Sequence, residues 1–471
     1  MTTGGGAGTD TGRRDGGARV RGGEGHALVI GGSIAGLAAA RVLADRFARV
    51  TVLDRDALPR EPGSRRGVPH GDHGHALLLR GRRQLEEFFP GLGGELLAAG
   101  AVSFDPGHDL VMHQMGSTRR RFRGTDRGIS LTRAALEAGV RRRVTALAGV
   151  TIRDRSSVVA LTGGPRRVTG VELDTGETLR ADVVVNASGR GGSEPDALLR
   201  RLGAPVPAMD VVKVDVGYTT RLYHRRPGER LAGDALLHLM AGARGDKRAA
   251  AVFAVEGDRW MVTLGGWHRA HAPTDPAGFE DFAARLPGPT VAELVATAEP
   301  VASAPIRKFT FPAARRRRFE RMGEVPGGYV VLGDASCSLN PLYGQGMTMA
   351  ALQAAALGRS LDRAGHTGPA MVRAQYRATA RIVDGPWRMA TGQDFTHPET
   401  VGPRPRGTAL LTWYTERVVL ASHVSEPVNR TLMDVQQLLA PPGAVLRPGT
   451  ALRALAAARR SPALAAGVPR T

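Results

Sequence analysis

The sequence is poor in cysteine, lysine and aromatic residues, and each shortage excludes a class of protein. A single cysteine, Cys337, in 471 residues rules out a disulfide within the chain, so we expect a reducing, cytoplasmic setting. No apolar run approaches the roughly 18 residues that a membrane helix needs, so we expect no membrane span. Aromatic residues make up 5% of the chain, too few for the stacking platforms that hold single-stranded nucleic acids.

The net charge of +20 is carried almost wholly by arginine, because only three of the 64 basic residues are lysines. The arginines are spread along the chain rather than gathered in one module, and we therefore expect no nucleic-acid partner. The densest run, residues 315–318, is interpreted as a solvated surface turn. A binding protein without a cofactor remains the rival from a different class. It predicts a colourless protein whose affinity for DNA or acidic lipid weakens steeply with salt.

The chain does contain a glycine-rich pattern close to its start. An apolar strand at 26–30 runs into a glycine turn, an alanine-rich helix follows, and the next strand ends in an acidic residue. This pattern aims the N–H groups of a helix start at a diphosphate and the carboxylate at a ribose. Ser33 stands where a glycine is usual, so its Cβ crowds the diphosphate while its hydroxyl can bond a phosphate oxygen. The predicted contacts are Gly31, Ser33, Ile34, Ala35, Gly36 and Asp54.

A second glycine-rich pattern lies far along the chain. Residues 328–335 predict a buried strand that ends in Gly333 and Asp334. A loop containing Pro341 follows, and the Gly-Gln-Gly turn at 344–346 opens a second alanine-rich helix. The ordered pair of patterns is far more specific than either one alone, because a lone glycine turn before a helix is common.

With both patterns present, the sequence resembles the FAD-dependent monooxygenases built on the para-hydroxybenzoate hydroxylase fold. The resemblance implies that Asp334 holds a ribityl hydroxyl, and that the backbone around Gly346 and Met347 faces the flavin N1–C2=O edge. It also implies that Arg133, at the start of a helix capped by Thr132, contacts FAD. The cofactor contacts carried over from this resemblance are Arg133, Ser188, Gly333, Asp334, Pro341, Gly344, Gln345, Gly346 and Met347.

Within that fold, residues 67–81 look like a signature of bacterial polyketide epoxidases, the enzymes that epoxidise linear polyenes. His70 departs from that signature, where glutamine is usual. The resemblance implies transfer of one oxygen atom from a flavin C4a-hydroperoxide to an alkene of a hydrophobic, polyene- or polyketide-like substrate, with molecular oxygen as co-substrate. Other stretches that fit this group are residues 216–222 and 255–260, Trp387 and Asp394.

The candidate catalytic residues are His73, His75 and Tyr343. Two histidines with only Asp72 beside them make a poor metal site, so no metal is expected. If the segment crosses the flavin, the histidines hydrogen-bond flavin, peroxide or substrate, and structural histidines packed on a sheet are an equal alternative. Tyr343 is expected to line the pocket on one face of the flavin. No nucleophilic residue is required, since the cofactor supplies the chemistry.

The source of electrons is indicated by the turn at 186–190. Single-component aromatic hydroxylases carry Asp-Gly there, in a motif linked to both FAD and NAD(P)H, whereas this chain has Ser188 and Gly189. This difference puts direct use of NAD(P)H by the chain in question, and a separate flavin reductase partner is the alternative route for electrons from NAD(P)H.

Three other flavin activities fit the patterns less well. Aromatic hydroxylation of a polyketide is the runner-up. Flavin-dependent halogenation is disfavoured because the chain has no Trp-X-Trp-X-X-Pro motif and its first lysine is Lys213. A prenyl-chain reductase also fits the flavin motifs, but it would not incorporate labelled oxygen.

The expected fold class is α/β, a Rossmann-like FAD-binding domain with a β-meander crossover, joined to an antiparallel sheet and C-terminal helices. Residues 150–161 and 167–173 are expected to form the meander, 182–186 a central parallel strand, and Pro386 a helix break. The expected divisions are a disordered tail at 1–25, an FAD-binding domain at 26–190 and 324–362, a substrate-binding sheet domain at 191–323, a helical region at 363–450 and a loosely ordered tail at 451–471.

Overall fold

The computed structural model describes residues 25–241 and 245–465. Its strands are β1 (His26–Ile30), β2 (Arg49–Leu53), β3 (Val102–Phe104), β4 (Leu110–Gln114), β5 (Ser117–Thr118), β6 (Gly128–Ser130), β7 (Val150–Arg153), β8 (Val158–Gly164), β9 (Arg167–Leu173), β10 (Thr178–Arg180), β11 (Val183–Asn186), β12 (Met209–His224), β13 (Leu237–Ala241), β14 (Arg248–Val255), β15 (Arg259–Gly266), β16 (Arg307–Arg317), β17 (Tyr329–Val331) and β18 (Cys337–Ser338). Its α-helices are α1 (Ile34–Ala44), α2 (Leu79–Phe88), α3 (Leu92–Ala98), α4 (Arg133–Thr145), α5 (Pro195–Arg201), α6 (Pro276–Ala284), α7 (Thr290–Thr297), α8 (Gly346–Ala364), α9 (Pro369–Asp394), α10 (Thr408–Ser422), α11 (Glu426–Gln436), α12 (Pro448–Ala458) and α13 (Pro462–Ala465).

A five-stranded parallel sheet, in the order β17-β11-β1-β2-β7, forms the first layer. Strands β1, β11 and β17 are largely apolar and buried, as Leu28, Val184 and Val330 illustrate. The expected strand at 182–186 is confirmed as a central one, because β11 lies between β1 and β17. Helices α1 and α8, the two that follow the glycine patterns, pack against each other.

The β-meander is present, with one correction to its extent. Strands β8, β9 and β10 form a three-stranded antiparallel sheet, as expected of a crossover. Residues 150–153, expected in the meander, instead pair with β2 as the edge of the parallel sheet. Arg155 adopts a left-handed conformation with φ at 48°, and this break separates the two strands.

The largest sheet has eight strands in the order β18-β16-β12-β15-β14-β13-β4-β5. Its pairs are antiparallel except for that of β4 with β13, through which the short strand at 110–114 joins this sheet. The 16-residue strand β12 is the longest, and a register shift between Lys213 and Val216 bends it. Helices α6 and α7 supply part of the apolar core of this sheet.

The arginine run at 315–318 is not the solvated turn that we expected. It forms the end of β16, where the side chains of Arg316 and Arg317 are buried. Arg317 pairs with Asp196 at 2.8 Å, and Arg316 pairs with Asp384 at 2.6 Å. These acidic partners lie far away in the sequence. The ion pairs that allow the arginines to be buried therefore cannot be predicted from a local pattern.

Two expectations about the C-terminal helices are wrong. Helix α9 passes through Pro386 without ending, because buried neighbours such as Trp387 and Val383 hold it in place at the cost of one hydrogen bond. The stretch after residue 450 is not loosely ordered as far as it is described. Helix α12 packs against α10 and buries Ala454 and Ala458.

The expected tail at 1–25 lies outside the described residues apart from Gly25, and so do residues 466–471. The division into domains stays a prediction. None of the helices in the described ranges combines the length and the apolar character that crossing a bilayer requires.

Candidate functional site

The first glycine turn has the close strand–helix geometry that the sequence predicts. Gly31 has a φ of 104°, and a Cβ there would lie 2.5 Å from the carbonyl oxygen of Ala187. A Cβ on Gly36 would lie 1.7 Å from the carbonyl oxygen of Gly31. Neither position can hold a side chain, so the start of α1 sits directly on the end of β1. Ile34 and Ala35 form the first turn of that helix.

Asp54 lies at the end of β2, buried beside this turn. Its Oδ2 accepts a hydrogen bond from the backbone N–H of Gly32 at 2.7 Å. Arg65, which follows in a long loop, pairs with Asp54 and with Asp56 at 3.1 Å each. The carboxylate is thus placed at the glycine turn, where the ribose contact is expected, and Arg65 is a cation that the sequence analysis missed.

The Ser33 hydroxyl has two hydrogen-bond partners within the protein. The hydroxyl donates to Glu137 Oε2 at 2.6 Å and accepts from the Arg133 guanidinium at 2.6 Å. Arg133, the predicted cofactor contact, begins α4, and Thr132 caps that helix by accepting from Ala135 N–H. Glu137 was also missed, although its position four residues after Arg133 puts the two on one face of the helix.

The second glycine pattern folds against the first. Strand β17 leads to Gly333, whose φ is 62° and whose Cβ, if present, would lie 2.8 Å from the Cβ of Ala35. The backbone N–H of Gly333 donates to Gln353 in α8 at 2.9 Å. The sheet order β17-β11-β1 explains this meeting, because the two motifs leave the same edge of one parallel sheet.

Asp334 lies next, beside the first turn of α8. A Cβ on Gly346 would lie 3.6 Å from Asp334 Oδ1. Burial raises the pKa of the Asp334 carboxyl, while the charges of Arg190 and Arg133 lower it. The positive end of the helix also favours a carboxylate here. Asp334 is therefore held among cations at a helix start, and it has no protein hydrogen bond among those described.

Arg190 is a further residue that the sequence analysis did not single out. Its guanidinium donates to the carbonyl oxygen of Ala313 at 2.9 Å and to the hydroxyl of Ser338. It also stacks over the ring of Phe311, 4.1 Å from its centre. These contacts fix a cation between the parallel sheet and the large sheet, close enough to Asp334 to affect its pKa.

The loop before α8 has the expected form. Residues Pro341–Tyr343 make one turn of 3₁₀ helix, and Gly344 follows with a φ of 65°. A Cβ on Gly344 would lie 2.8 Å from the Cβ of Ala76. Gln345 and Met347 are buried at the helix start, and its first N–H groups have no partner within the helix.

Residues 67–81 thread between this loop and the large sheet. A Cβ on Gly74 would lie 2.5 Å from the ring of Phe253, and a Cβ on Gly81 would lie 2.3 Å from Thr348 Oγ1. The backbone N–H of Gly74 donates to Thr263 at 3.1 Å. The segment therefore packs closely against the sheet on one side and against the start of α8 on the other.

The two candidate histidines lie within this segment. His73 Nδ1 bonds Thr220 Oγ1 at 2.8 Å, and its ring meets Tyr218 edge-on at 4.7 Å. His75 Nδ1 bonds the carbonyl oxygen of His73 at 2.8 Å. Burial lowers the pKa of His73 to about 4 and that of His75 to about 3. Both imidazoles are therefore neutral near pH 7, and His73 packs on the sheet with one nitrogen still unbonded.

The Tyr343 hydroxyl is hydrogen-bonded within the protein. Its hydroxyl donates to Asp394 at 2.8 Å, and Asp394 is fully buried at the end of α9. Burial and the neighbouring carboxylate raise the pKa of Tyr343 well above its usual value. The phenol therefore stays protonated at any ordinary pH.

Several buried polar atoms around these motifs have no hydrogen-bond partner within the described chain. Such atoms are rare in folded proteins, so a cluster of them indicates a missing polar ligand. Donors and acceptors are both present, beside a helix start and two arginines, and this combination suits a large dinucleotide such as FAD. The unpartnered atoms are Arg65 Nη2, His73 Nε2, Arg133 Nε, Tyr218 Oη, Gln345 Oε1 and Thr348 Oγ1.

The turn at 186–190 uses its own polar groups internally. The Ser188 hydroxyl donates to the carbonyl oxygen of Ser193 at 3.0 Å, and its backbone N–H donates to Asn186 at 3.1 Å. Because the Cα of Ser188 lies close to Gly31, the turn borders the first glycine motif. The Ser188 hydroxyl has therefore given its proton to Ser193 and can only accept a hydrogen bond from a cofactor.

The chain is 34% identical over 399 residues to Protein Rv3254 of Mycobacterium tuberculosis, and the match covers 81% of this chain and 82% of the relative. This chain belongs to the Rv3254 family. No protein-family model matches the sequence.

Comparison with solved structures shows which fold this chain adopts. PqsL of Pseudomonas aeruginosa, solved with 2-aminobenzoylacetate, is similar with a TM-score of 0.58 at 21% identity, covering 79% of this chain and 98% of PqsL. The flavin-dependent brominase Bmp2 gives 0.65 at 13% identity, covering 92% and 98%. The pyridine-carboxylate oxygenase MHPCO gives 0.58 at 20% identity, covering 89% and 98%. The fold is that of the flavoprotein monooxygenases, as the sequence predicted.

Proposed function

We propose that this protein is an FAD-dependent monooxygenase that transfers one oxygen atom from molecular oxygen to an alkene of a hydrophobic natural product. The observation that supports it most is the meeting of the two glycine motifs at Gly333 and Ala35. One dinucleotide can then contact both helix starts, and the unpartnered polar atoms lie along the same region.

FAD, when bound, supplies the redox and oxygen chemistry. The chain's own residues bind, orient and exclude water. Asp334 would hold a ribityl hydroxyl, while Arg65 and Arg133 would face the diphosphate. The N–H groups at the start of α8 would stabilise negative charge on the flavin ring. His73, neutral at working pH, offers one nitrogen to a ligand without adding charge to the pocket.

The substrate class is proposed from the resemblance of residues 67–81 to the polyketide epoxidases. These residues pack on the large sheet against Phe253, Thr220 and Thr263. The overall reaction consumes the alkene, O₂, two electrons and two protons, and gives an epoxide and water.

Electrons would come from NAD(P)H through a separate flavin reductase. This proposal rests on Ser188, which stands where the Asp-Gly motif would be and whose hydroxyl is committed to Ser193. A stopped-flow comparison tests it. NADPH alone should bleach the bound flavin slowly, and a flavin reductase with NADPH should bleach it quickly; rapid bleaching by NADPH alone would contradict the proposal.

Aromatic hydroxylation is the second candidate. PqsL, a neighbour in fold, was solved with the aromatic compound 2-aminobenzoylacetate. One experiment separates the two. The FAD-loaded protein, a flavin reductase and NADPH are supplied with ¹⁸O₂ and either a linear triene or 1-naphthol, and the products are weighed by mass spectrometry. Labelled epoxide from the triene supports the proposal, and labelled diol from naphthol alone supports the second candidate. Absence of label in both would contradict monooxygenation.

A further inference from the structure

Asp394 is a buried carboxylate that the proposed chemistry does not use. It is the last residue of α9 and is fully buried. Its Oδ1 accepts three hydrogen bonds, from Tyr343 at 2.8 Å, from Asn340 at 2.8 Å and from Trp267 at 3.0 Å. The donors come from the loop before α8 and from the end of β15, so one oxygen atom joins three elements.

The second oxygen, Oδ2, is buried and has no hydrogen-bond partner within the described residues. No ion pair with a cation is found for Asp394 in those same ranges. A carboxylate in such a position is costly, because three hydrogen bonds on one oxygen only partly replace the water it has lost. Burial accordingly raises the pKa of Asp394 to about 6, against the opposing effect of the three donors.

An asparagine could accept the same three hydrogen bonds on its amide oxygen without a charge to desolvate, with its NH2 group in the place of the unpartnered Oδ2. A buried ionisable group with a shifted pKa is a candidate for a functional position.

Tyr343 connects Asp394 to the candidate flavin site. It directly precedes Gly344, which packs against Ala76 in the segment at 67–81. The phenol has a single proton, and that proton is donated to Asp394. The Tyr343 oxygen can therefore only accept hydrogen bonds from any other group in the site.

We propose that Asp394 is a positioning residue that holds the Tyr343 phenol as a hydrogen-bond acceptor beside the flavin. Gain or loss of the proton on Asp394 then changes the electrostatics of that pocket. The role rests on the proposed function, since it requires a flavin near Tyr343. The ligand group that meets Tyr343 must be a donor, such as a hydroxyl or an N–H.

Other titratable groups near Asp394 have to be separated from it. His397 stacks against Trp267 at 5.2 Å, and His268 meets His397 at 5.8 Å. Burial lowers the pKa of both histidines. The Asp334 carboxyl, whose pKa burial also raises, lies at the candidate flavin site as well. A variant that removes only the Asp394 proton leaves the histidine pair, Asp334 and Tyr343 in place, so it shows whether Asp394 is the group that titrates.

The test is a pH titration of the visible absorbance of the FAD-loaded protein from about pH 5 to about pH 8. The wild-type spectrum should shift with an inflection near 6. Asp394→Asn should keep its FAD and lose the inflection, because it retains the acceptor oxygen but not the proton. Tyr343→Phe should keep the inflection with a smaller amplitude. Asp362→Asn, an exposed carboxylate of α8 paired with Arg46, is the matched control and should titrate as wild type.

Two outcomes overturn the inference while leaving the proposed function intact. The first is an FAD-loaded Asp394→Asn protein with the wild-type inflection, which would assign the titration to another group, such as the histidine pair or the buried Asp334. The second is a wild-type spectrum that does not change with pH. A protein that binds no FAD would instead contradict the proposed function itself, and the two failures are therefore distinguishable.

Discussion

Gly333 lies against Ala35 so closely that a Cβ on Gly333 would sit 2.8 Å from the Cβ of Ala35. This contact joins the end of strand β17, in the second glycine motif, to helix α1, in the first. It explains how patterns far apart in the sequence build one site, and it leaves no room for a side chain at Gly333.

Gly333→Ala should therefore destabilise the protein and weaken FAD binding. The added methyl group meets Ala35, and the φ of 62° is unfavourable for alanine. We expect a loss of about 2–4 kcal/mol in the free energy of unfolding, from overpacking and left-handed strain together. Urea unfolding measures it. Gly323→Ala is the control, since nothing lies within 4 Å of its Cβ position; equal stability of the two variants would contradict the contact.

Asp334→Ala should lower FAD affinity while the fold is largely kept. The substitution removes the predicted ribityl contact and leaves Arg133 and Arg190 without their nearby carboxylate. Loss of a hydrogen bond to a charged group corresponds to roughly 10- to 100-fold in dissociation constant. Quenching of FAD fluorescence by the apoprotein measures it. Asp45→Ala, an exposed carboxylate paired with Arg41, should bind FAD as wild type does.

Glu137→Gln should be strongly destabilising. Glu137 accepts from Ser33 and from Arg65 at 2.9 Å, and Arg133 and Arg141 lie within 3.6 Å. Removing the charge leaves Arg133 and Arg141 without this carboxylate, while Arg65 keeps Asp54 and Asp56, and the loss costs on the order of 3 kcal/mol. Chemical denaturation checks it. Glu95→Gln removes an exposed carboxylate paired with Arg143 and should cost under about 1 kcal/mol. Similar losses of unfolding free energy in both variants would contradict a larger contribution of the buried Glu137 ion pairs to stability.

Stability should fall as the pH is lowered towards 5, partly because of His73. Its pKa is lowered to about 4 in the folded protein, below the unfolded value of 6.5. The unfolded chain therefore binds a proton below about pH 6.5 that the folded protein refuses until about pH 4, a difference worth at most about 3 kcal/mol. Urea unfolding at about pH 7.5 and about pH 5 measures the loss. It should shrink in His73→Gln and stay unchanged in His224→Gln, an exposed residue.

The sequence predicts those parts of the fold whose signals are local. Short runs of residues predict the strand–turn–helix units at both glycine motifs, the cap at Thr132 and the central strand β11. No short run predicts the burial of Arg316 and Arg317, because their partners Asp384 and Asp196 come from distant parts of the chain. The pairing of β7 with β2 is also a long-range contact, and the local pattern therefore predicts residues 150–153 in the meander.

The candidate site was predicted in a similar, uneven way. Its glycines and Asp334 follow known patterns, whereas Arg65, Glu137 and Arg190 stand in no motif and are recruited by folding. The resemblance implies that Tyr343 lines the pocket, but its hydrogen bond to Asp394 depends on helix α9 continuing past Pro386, where the sequence predicts a break. Long-range contacts decide such side-chain partners.

The central claim is that the two glycine motifs bind one FAD, and equilibrium titration of the purified apoprotein with FAD tests it most directly. The account predicts saturable binding of one FAD per chain, a yellow protein after dialysis, and a marked loss of both in Asp334→Ala. A wild-type chain that remains colourless and leaves the fluorescence of added FAD unchanged would contradict it.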